Sequence, residues 1–484
     1  MGCYVCEWAK RRFLKRHKER THGNPLLEEA LEESTFDEYL TEDIFLGKGF
    51  LLEDHKRSKL VDIRQENGNR GNHTFVFGSS GVGKTKLIES TLCEDIVAGR
   101  NVVVIDPKGG ADLYSRIVEA AYAAKREDDL MYLSPIFPDK SITIAPLSHY
   151  YMEEELINHV MAGVSTENEF FYAASLELST FIIKTLLLVR KYLRCHESLT
   201  FREISKYVDY DNLNTLKKSL ESIGTVEARH LILLGTTILG SGKEHFSKLT
   251  PTLRVALTEM TIGNTGKIIG NAKENNFMDR IENGKGVILY VQTGAMLTSK
   301  TAGTIARVLT SMIQSMVGRH DAAGIRLDRP LCYYGDEFSN IVYRGCEDLF
   351  NKGRSAGVMI TALTQSMADI VAEIGEDRAV KLFDNTSTKI FMRVNDYGSA
   401  RLIAMYGGIK KKHSPMLSLN GGITNREVEV DVLLPEHILR LEKREYFYFG
   451  FEGQYRGKTP KIGNPELKVT MPNTMKGRGE AFHI

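Results

Sequence analysis

The chain has 484 residues, 42% hydrophobic and 26% charged, with a net charge of +1, which allows two to four domains with full cores. Six cysteines over this length exclude a dense disulfide framework, and neither an apolar signal segment nor a run of membrane-spanning length is apparent. The balanced charge neither demands nor excludes a nucleic-acid partner, since local patches decide that.

Residues 1–24 are basic and residues 26–43 acidic, and such opposed blocks predict a separate N-terminal element over 1–43. Cys3, Cys6, His17 and His22 have zinc-type chemistry at nearly the spacing of a two-Cys, two-His finger, with a central gap two residues short of the usual ~12. Three readings stand: a small Zn²⁺ finger, a basic helix touching DNA or anionic lipid, or a solvated end.

From residue 44 to 150 the pattern alternates: strand at 75–77, helix at 85–98, strand at 102–105, helix at 111–125. This is how a parallel, helix-covered sheet begins. Between the first strand and helix, Gly78, Ser79, Ser80, Gly81, Val82, Gly83, Lys84 and Thr85 match G-x-x-x-x-G-K-[ST] in full. The glycines let successive N–H groups face a phosphate, Lys84 would reach the β/γ-phosphates, and Thr85 would ligate Mg²⁺. The motif predicts binding of a nucleoside triphosphate. Asp106-Pro107-Lys108-Gly-Gly closes the second strand, either as a plain turn or with Lys108 projecting towards the nucleotide.

Residues 151–270 carry long amphipathic stretches with little strand signal, which predicts an all-α domain inserted into the α/β one. The apolar run 181–189 carries Lys184 and reads as a buried helix. Over 271–455 the alternation resumes, with strands at 287–292, 331–334, 358–363, 389–394 and 446–451. The run 331–335 leads into Asp336 and Glu337, expected on a strand neighbouring the P-loop strand. There Asp336 would hold the metal and Glu337 would polarise the attacking water. Gly335 is unusual inside a buried strand. Gln365 follows the next strand, at the end where ligands bind in open α/β sheets, and could sense the γ-phosphate. Arg354 precedes that strand, so it would reach a phosphate only across a subunit interface, as an arginine finger. Lys410 to His413 read as a basic loop, and the tail from Gly453 (residues 456–484 in particular) as loosely ordered. Cys93, Cys195, Cys332 and Cys346 lie in apolar context and read as core.

The order of P-loop, Val-Ile-Asp106-Pro-Lys-Gly-Gly, helical insertion, strand-Asp336-Glu-Phe, Gly-Arg354-Ser-Ala-Gly-Val and Thr-Gln365-Ser resembles the type IV secretion coupling proteins, the TraD/TraG-like conjugation ATPases. Phe45-Leu-Gly-Lys-Gly-Phe50 also resembles the segment leading into their nucleotide domain, and the resemblance runs over roughly residues 44–460. It implies a RecA-like P-loop NTPase domain with an inserted all-α domain, and a hexameric ring that hydrolyses ATP with Mg²⁺. It also implies a ring that passes relaxase-bound DNA, single-stranded in this reading, to a type IV secretion channel. By position, Lys84 and Thr85 match the nucleotide-binding pair, Asp336 and Glu337 the hydrolytic acids, Gln365 the sensor and Arg354 the finger. Family members mostly begin with transmembrane helices, which this chain lacks as read. A cytoplasmic protein peripheral to the inner-membrane secretion complex is therefore expected. An FtsK/HerA-like duplex-DNA translocase, a protein-secretion ATPase and an ATP-switched cargo adaptor are the rival expectations.

Overall fold

Runs such as Val102 to Ile105 are apolar without alternation, which suits strands covered on both faces, and they form the middle of an eleven-stranded sheet. The structure is a computed structural model and describes residues 43–52, 59–240, 242–417 and 423–471. Its strands are β1 (Ile44–Leu51), β2 (Val61–Gln65), β3 (Thr74–Phe77), β4 (Asn101–Asp106), β5 (Leu130–Leu133), β6 (Ile288–Gln292) and β7 (Leu331–Gly335). They continue with β8 (Val358–Thr364), β9 (Thr388–Phe391), β10 (Ile409–Leu417), β11 (Ile423–Asp431), β12 (Glu445–Gly450) and β13 (Gly453–Lys458). The large sheet runs β2-β1-β13-β12-β9-β3-β8-β7-β4-β6-β5. From β9 to β5 every pair is parallel, while β12, β13, β1 and β2 add an antiparallel wing.

Side chains alternate across the parallel strands, and each face has its own core. Val76, Val104 and Tyr290 pack against Leu87, Leu92 and Ile117 from the helices Lys84–Val97 and Ala111–Ala123. Phe75, Val103 and Leu289 face the other way, towards the long helix Ala295–Ala323 and the helical insertion. A buried ionic knot ties the helix Lys84–Val97 to β7. Asp95 accepts from Arg70 at 2.6 and 2.7 Å, from Arg100 at 2.6 Å and from the Tyr334 hydroxyl at 2.5 Å. Burial alone would raise the Asp95 carboxyl, but the charge and hydrogen bonds of Arg70, with Arg100, outweigh it and hold it at about 2.

Between β5 and β6 the chain is helical, from Glu153–Ala162 through the 24-residue Glu169–Tyr192 to Asn276–Glu282. Local chemistry sets the starts: Asn168 accepts from the Phe170 amide, Asp209 caps Tyr210–Ser219, and Pro251 opens Pro251–Thr261. The apolar run 181–189 lies inside the helix Glu169–Tyr192, as its sequence suggested. Glu169–Tyr192 is long and apolar enough to cross a membrane, yet half of its apolar window is buried within the protein and Lys184 pairs with Glu154 at 2.7 Å.

Three local expectations are corrected. Lys410 to His413 do not form a loop; they lie on β10, which pairs antiparallel with β11 in a hairpin outside the main sheet. Gly453 to Lys458 form β13, a strand between β1 and β12, and the chain beyond straps the helix Ala111–Ala123 through Val469 N–H to Ser115 Oγ at 3.0 Å. Cys195 is exposed, whereas Cys332 and Cys346 are buried. The glycine motif in β1 has a clear cause. At Gly47, with φ of +141°, a Cβ would stand 2.1 Å from the Lys458 carbonyl oxygen, so only glycine lets β13 close against β1. Gly335 answers in kind, since a Cβ there would meet the Phe338 ring at 2.8 Å. Residues Cys3, Cys6, His17 and His22 lie outside the described residues.

Candidate nucleotide site

The P-loop spans the turn from β3 into the helix Lys84–Val97, and backbone hydrogen bonds to the end of β8, to the segment after β9 and to the turn before β12 hold it. Gly78 N–H donates to the Thr364 carbonyl at 3.3 Å, Ser79 N–H to the Arg393 carbonyl at 2.8 Å, and Arg444 N–H to the Val82 carbonyl at 2.8 Å. Gly81 and Gly83 take φ of +78° and +114°, the left-handed turn that aims successive N–H groups outward at the helix N-terminus. Ser80 and Gly81 form the exposed crest, while Val82 is buried below. Lys84 is buried; its Nζ donates to the Gly78 carbonyl and, at 3.1 Å, to that of Ser79. Desolvation and the charge of Lys108 push the Lys84 ammonium below its ordinary value, which primes it for an anion.

The acids sit one strand further away than expected. β8 lies between the P-loop strand β3 and the acid-bearing β7, so Asp336 and Glu337 are not on an adjoining strand. The interposed strand delivers Gln365 between them. Thr85 Oγ1 donates to Asp336 Oδ2 at 3.4 Å, joining the P-loop hydroxyl and the first acid across that strand. Burial raises the Asp336 carboxyl, with Lys108 opposing. A hydroxyl and a buried carboxylate at this distance are hard oxygen donors of the kind Mg²⁺ takes.

Glu337 occupies a left-handed backbone conformation, φ +48°, and so turns its side chain out of the strand line. It accepts from Gln365 Nε2 at 2.6 Å and pairs with Lys108 Nζ at 2.5 Å. Burial would raise its carboxyl, but the hydrogen bonds from Lys108 and Gln365 prevail and hold it below the ordinary carboxylate range. Lys108 arrives there because Asp106 folds the chain after β4. Its carboxylate accepts from the amides of Lys108, Gly109 and Gly110 at 2.9, 2.9 and 3.3 Å, and from the Tyr290 hydroxyl at 2.7 Å. The turn and the projecting lysine weighed as alternatives are one structure.

Arg354 stands apart, in the last turn of the helix Glu347–Ala356 ahead of β8, whose seven residues span about 23 Å before Gln365. Its Nη1 donates to Asn72 Oδ1 at 2.7 Å, and its stem lies over Gly71, where a Cβ would come within 3.1 Å. The structure therefore gathers Lys84, Thr85, Asp336, Glu337, Gln365 and Lys108, and excludes Arg354 from the same cluster. Arg393 and Arg444, whose backbones hold the P-loop, carry no local sequence signal.

A family model described as the TraM recognition site of TraD and TraG matches residues 330–443. The type 4 coupling protein DotL of Legionella pneumophila is 32% identical over 89 residues, covering 18% of this chain and 11% of that relative. In fold, the bacterial conjugative coupling protein TrwB lacking its first 70 residues matches 88% of this chain and 95% of its own, at 17% identity and a TM-score of 0.65. TrwB with a non-hydrolysable ATP analogue matches at a TM-score of 0.62 and 15% identity, over 88% of this chain and 96% of its own. TrwB with ADP and Mg²⁺ matches at 0.61 and 16%, over 88% and 98%. These likenesses establish a RecA-like P-loop NTPase fold with an inserted all-α domain. Motif order, the matched carboxyl-terminal region and the fold agree: this chain resembles the coupling proteins of type IV secretion across most of its length.

Proposed function

We propose that this protein is an ATP-hydrolysing ring motor that couples relaxase-bound DNA to a type IV secretion channel during conjugation. In this reading residues 44–150 and 271–455 build the nucleotide-binding domain, 151–270 the insertion, and six copies form the ring. The observation that carries it is the joint placement of Thr85 with Asp336, and of Gln365 and Lys108 with Glu337, at the carboxyl ends of parallel strands. A binding-only P-loop protein has no need of the second group.

The P-loop amides and Lys84 bind and orient the triphosphate. Mg²⁺, held by Thr85 and Asp336, would neutralise phosphate charge when bound. Glu337 accepts the proton of the attacking water, and Gln365 orients that water and reads the γ-phosphate through its bond to Glu337. Lys108 holds the Glu337 carboxyl below its ordinary value against the effect of burial. Arg354, about a strand's length away, serves the neighbouring subunit's nucleotide.

The test is ATP hydrolysis by the purified protein with and without single-stranded DNA, alongside Lys84→Ala. Strong stimulation that is lost in the variant and rises steeply with protein concentration is the expected result. Stimulation by duplex alone would make it a duplex translocase. Lys84-dependent turnover indifferent to DNA and concentration would refute the motor and favour an adaptor.

A further inference from the structure

Arg307 lies on the long helix Ala295–Ala323, buried, at a point where three parts of the molecule meet. Its guanidinium folds back over Gly303: a Cβ at Gly303 would stand 3.5 Å from Arg307 Cζ and 3.2 Å from the Asn340 carbonyl oxygen. Asn340 ends the short turn Phe338–Asn340, which begins directly after Glu337. Glu373 lies 4.0 Å from Arg307 Nη1. It belongs to the helix Met367–Ile374, capped by Ser366 immediately after Gln365. The third part is the insertion. Glu259, on the helix Pro251–Thr261, acts on Arg307 as an opposing charge and accepts from Thr304 Oγ1 at 3.1 Å.

The two segments that reach Arg307 from the nucleotide side thus start at Glu337 and at Gln365, which bond each other at 2.6 Å. The guanidinium is short of partners. Its ion pair with Glu373 is long, and among the described residues its buried Nε has no hydrogen-bond partner. Burial accordingly pushes it below its ordinary value, with Glu373 and Glu259 opposing. A buried cation paired this loosely with Glu373, one helical turn from the Thr304 hydroxyl that bonds Glu259 of the insertion, responds to small shifts of either domain.

We propose that Arg307 is the positioning residue through which Glu337 and Gln365 move the helical insertion, with Glu373 on the nucleotide side and Glu259 on the insertion side. This rests on the ATPase reading, so nucleotide affinity is measured separately in every variant.

The experiment is hydrogen exchange of the helix Pro251–Thr261 in the full chain, with and without a non-hydrolysable ATP analogue. It compares wild type, Arg307→Met, Arg307→Lys and Glu373→Gln. In wild type the analogue is expected to change protection of this helix by roughly 2- to 30-fold. Arg307→Met should bind the analogue normally and abolish that change, Arg307→Lys should keep part of it, and Glu373→Gln should reduce it. Because Glu373 is exposed, that variant decides the matter should Arg307→Met fail to fold. The proposal is overturned if Arg307→Met, or Glu373→Gln in its place, responds as wild type does, or if the wild-type helix ignores a bound analogue. Absence of nucleotide binding in wild type would instead overturn the ATPase reading and this inference with it.

Discussion

Replacing Asp95 by Asn leaves Arg70 buried beside a group that cannot offset its charge. The pair is almost fully inaccessible, at 3% and 0% exposure, so solvent screening is slight and the cost at neutral pH should be about 3–5 kcal/mol. Part of that cost has a pH signature. A carboxyl held at about 2 against an ordinary 3.8 contributes about 2.5 kcal/mol, at about 1.4 kcal/mol for each pH unit. Since the folded value is depressed, the contribution is complete above pH 4 and is lost as pH falls from about 4 through about 2. Asn does not titrate. The stability gap between wild type and Asp95→Asn should therefore narrow by about 1 kcal/mol between pH 6 and pH 3, and by about 2 kcal/mol at pH 2. Urea-dependent hydrogen exchange of the helix Lys84–Val97 reports that unit rather than the whole multidomain chain. A gap that ignores pH would refute the argument that Arg70 and Arg100 hold Asp95 ionised.

Lys108→Met removes the cation that holds the Glu337 carboxyl down, so the Glu337 value rises and the acid limb of the pH–rate profile should move to higher pH. An unmoved limb would separate Lys108 from catalysis. Arg354→Ala and Lys84→Ala should each lose turnover by about 10³-fold or more, while a mixture of the two regains part of it, because mixed rings contain intact interfaces. A mixture as inactive as its components would place Arg354 outside its neighbour's site. Gly47→Val should prise β1 from β13, since a Cβ already meets the Lys458 carbonyl oxygen at 2.1 Å. Limited proteolysis near residue 458 should accelerate, and unchanged resistance would refute the close-approach argument.

The P-loop was legible because its chemistry is local: eight consecutive residues carry the turn, the lysine and the metal hydroxyl. Asp336, Glu337 and Gln365 were legible for a similar reason, each ending an apolar strand. Their geometry was not, because strand order is a long-range property, and nothing in residues 331–337 says that β8 lies between them and the P-loop. Lys108 was half legible. The Asp106 turn is a local signal, but its aim at Glu337 depends on β4 lying beside β7. β13 escaped notice because Gly453-Gln-Tyr-Arg-Gly-Lys458 lacks an apolar run; it is a strand on account of the glycines it meets in β1. Arg307 offers no signal at all, since its meaning lies in Glu259, Asn340 and Glu373, each on a different element.

The position of β13 bears on how the chain is made. β1 and β2 leave the ribosome before the other described strands, yet β1 joins the large sheet only by pairing with β13, more than four hundred residues later. Until that strand emerges, the early hairpin has no place on the sheet and the outer edge of β12 lies open. Synthesis past residue 458 is thus a checkpoint. A chain halted after β12 has emerged and before β13 has two unmatched strand edges, the kind of species that chaperones bind and neighbouring polysomes entangle.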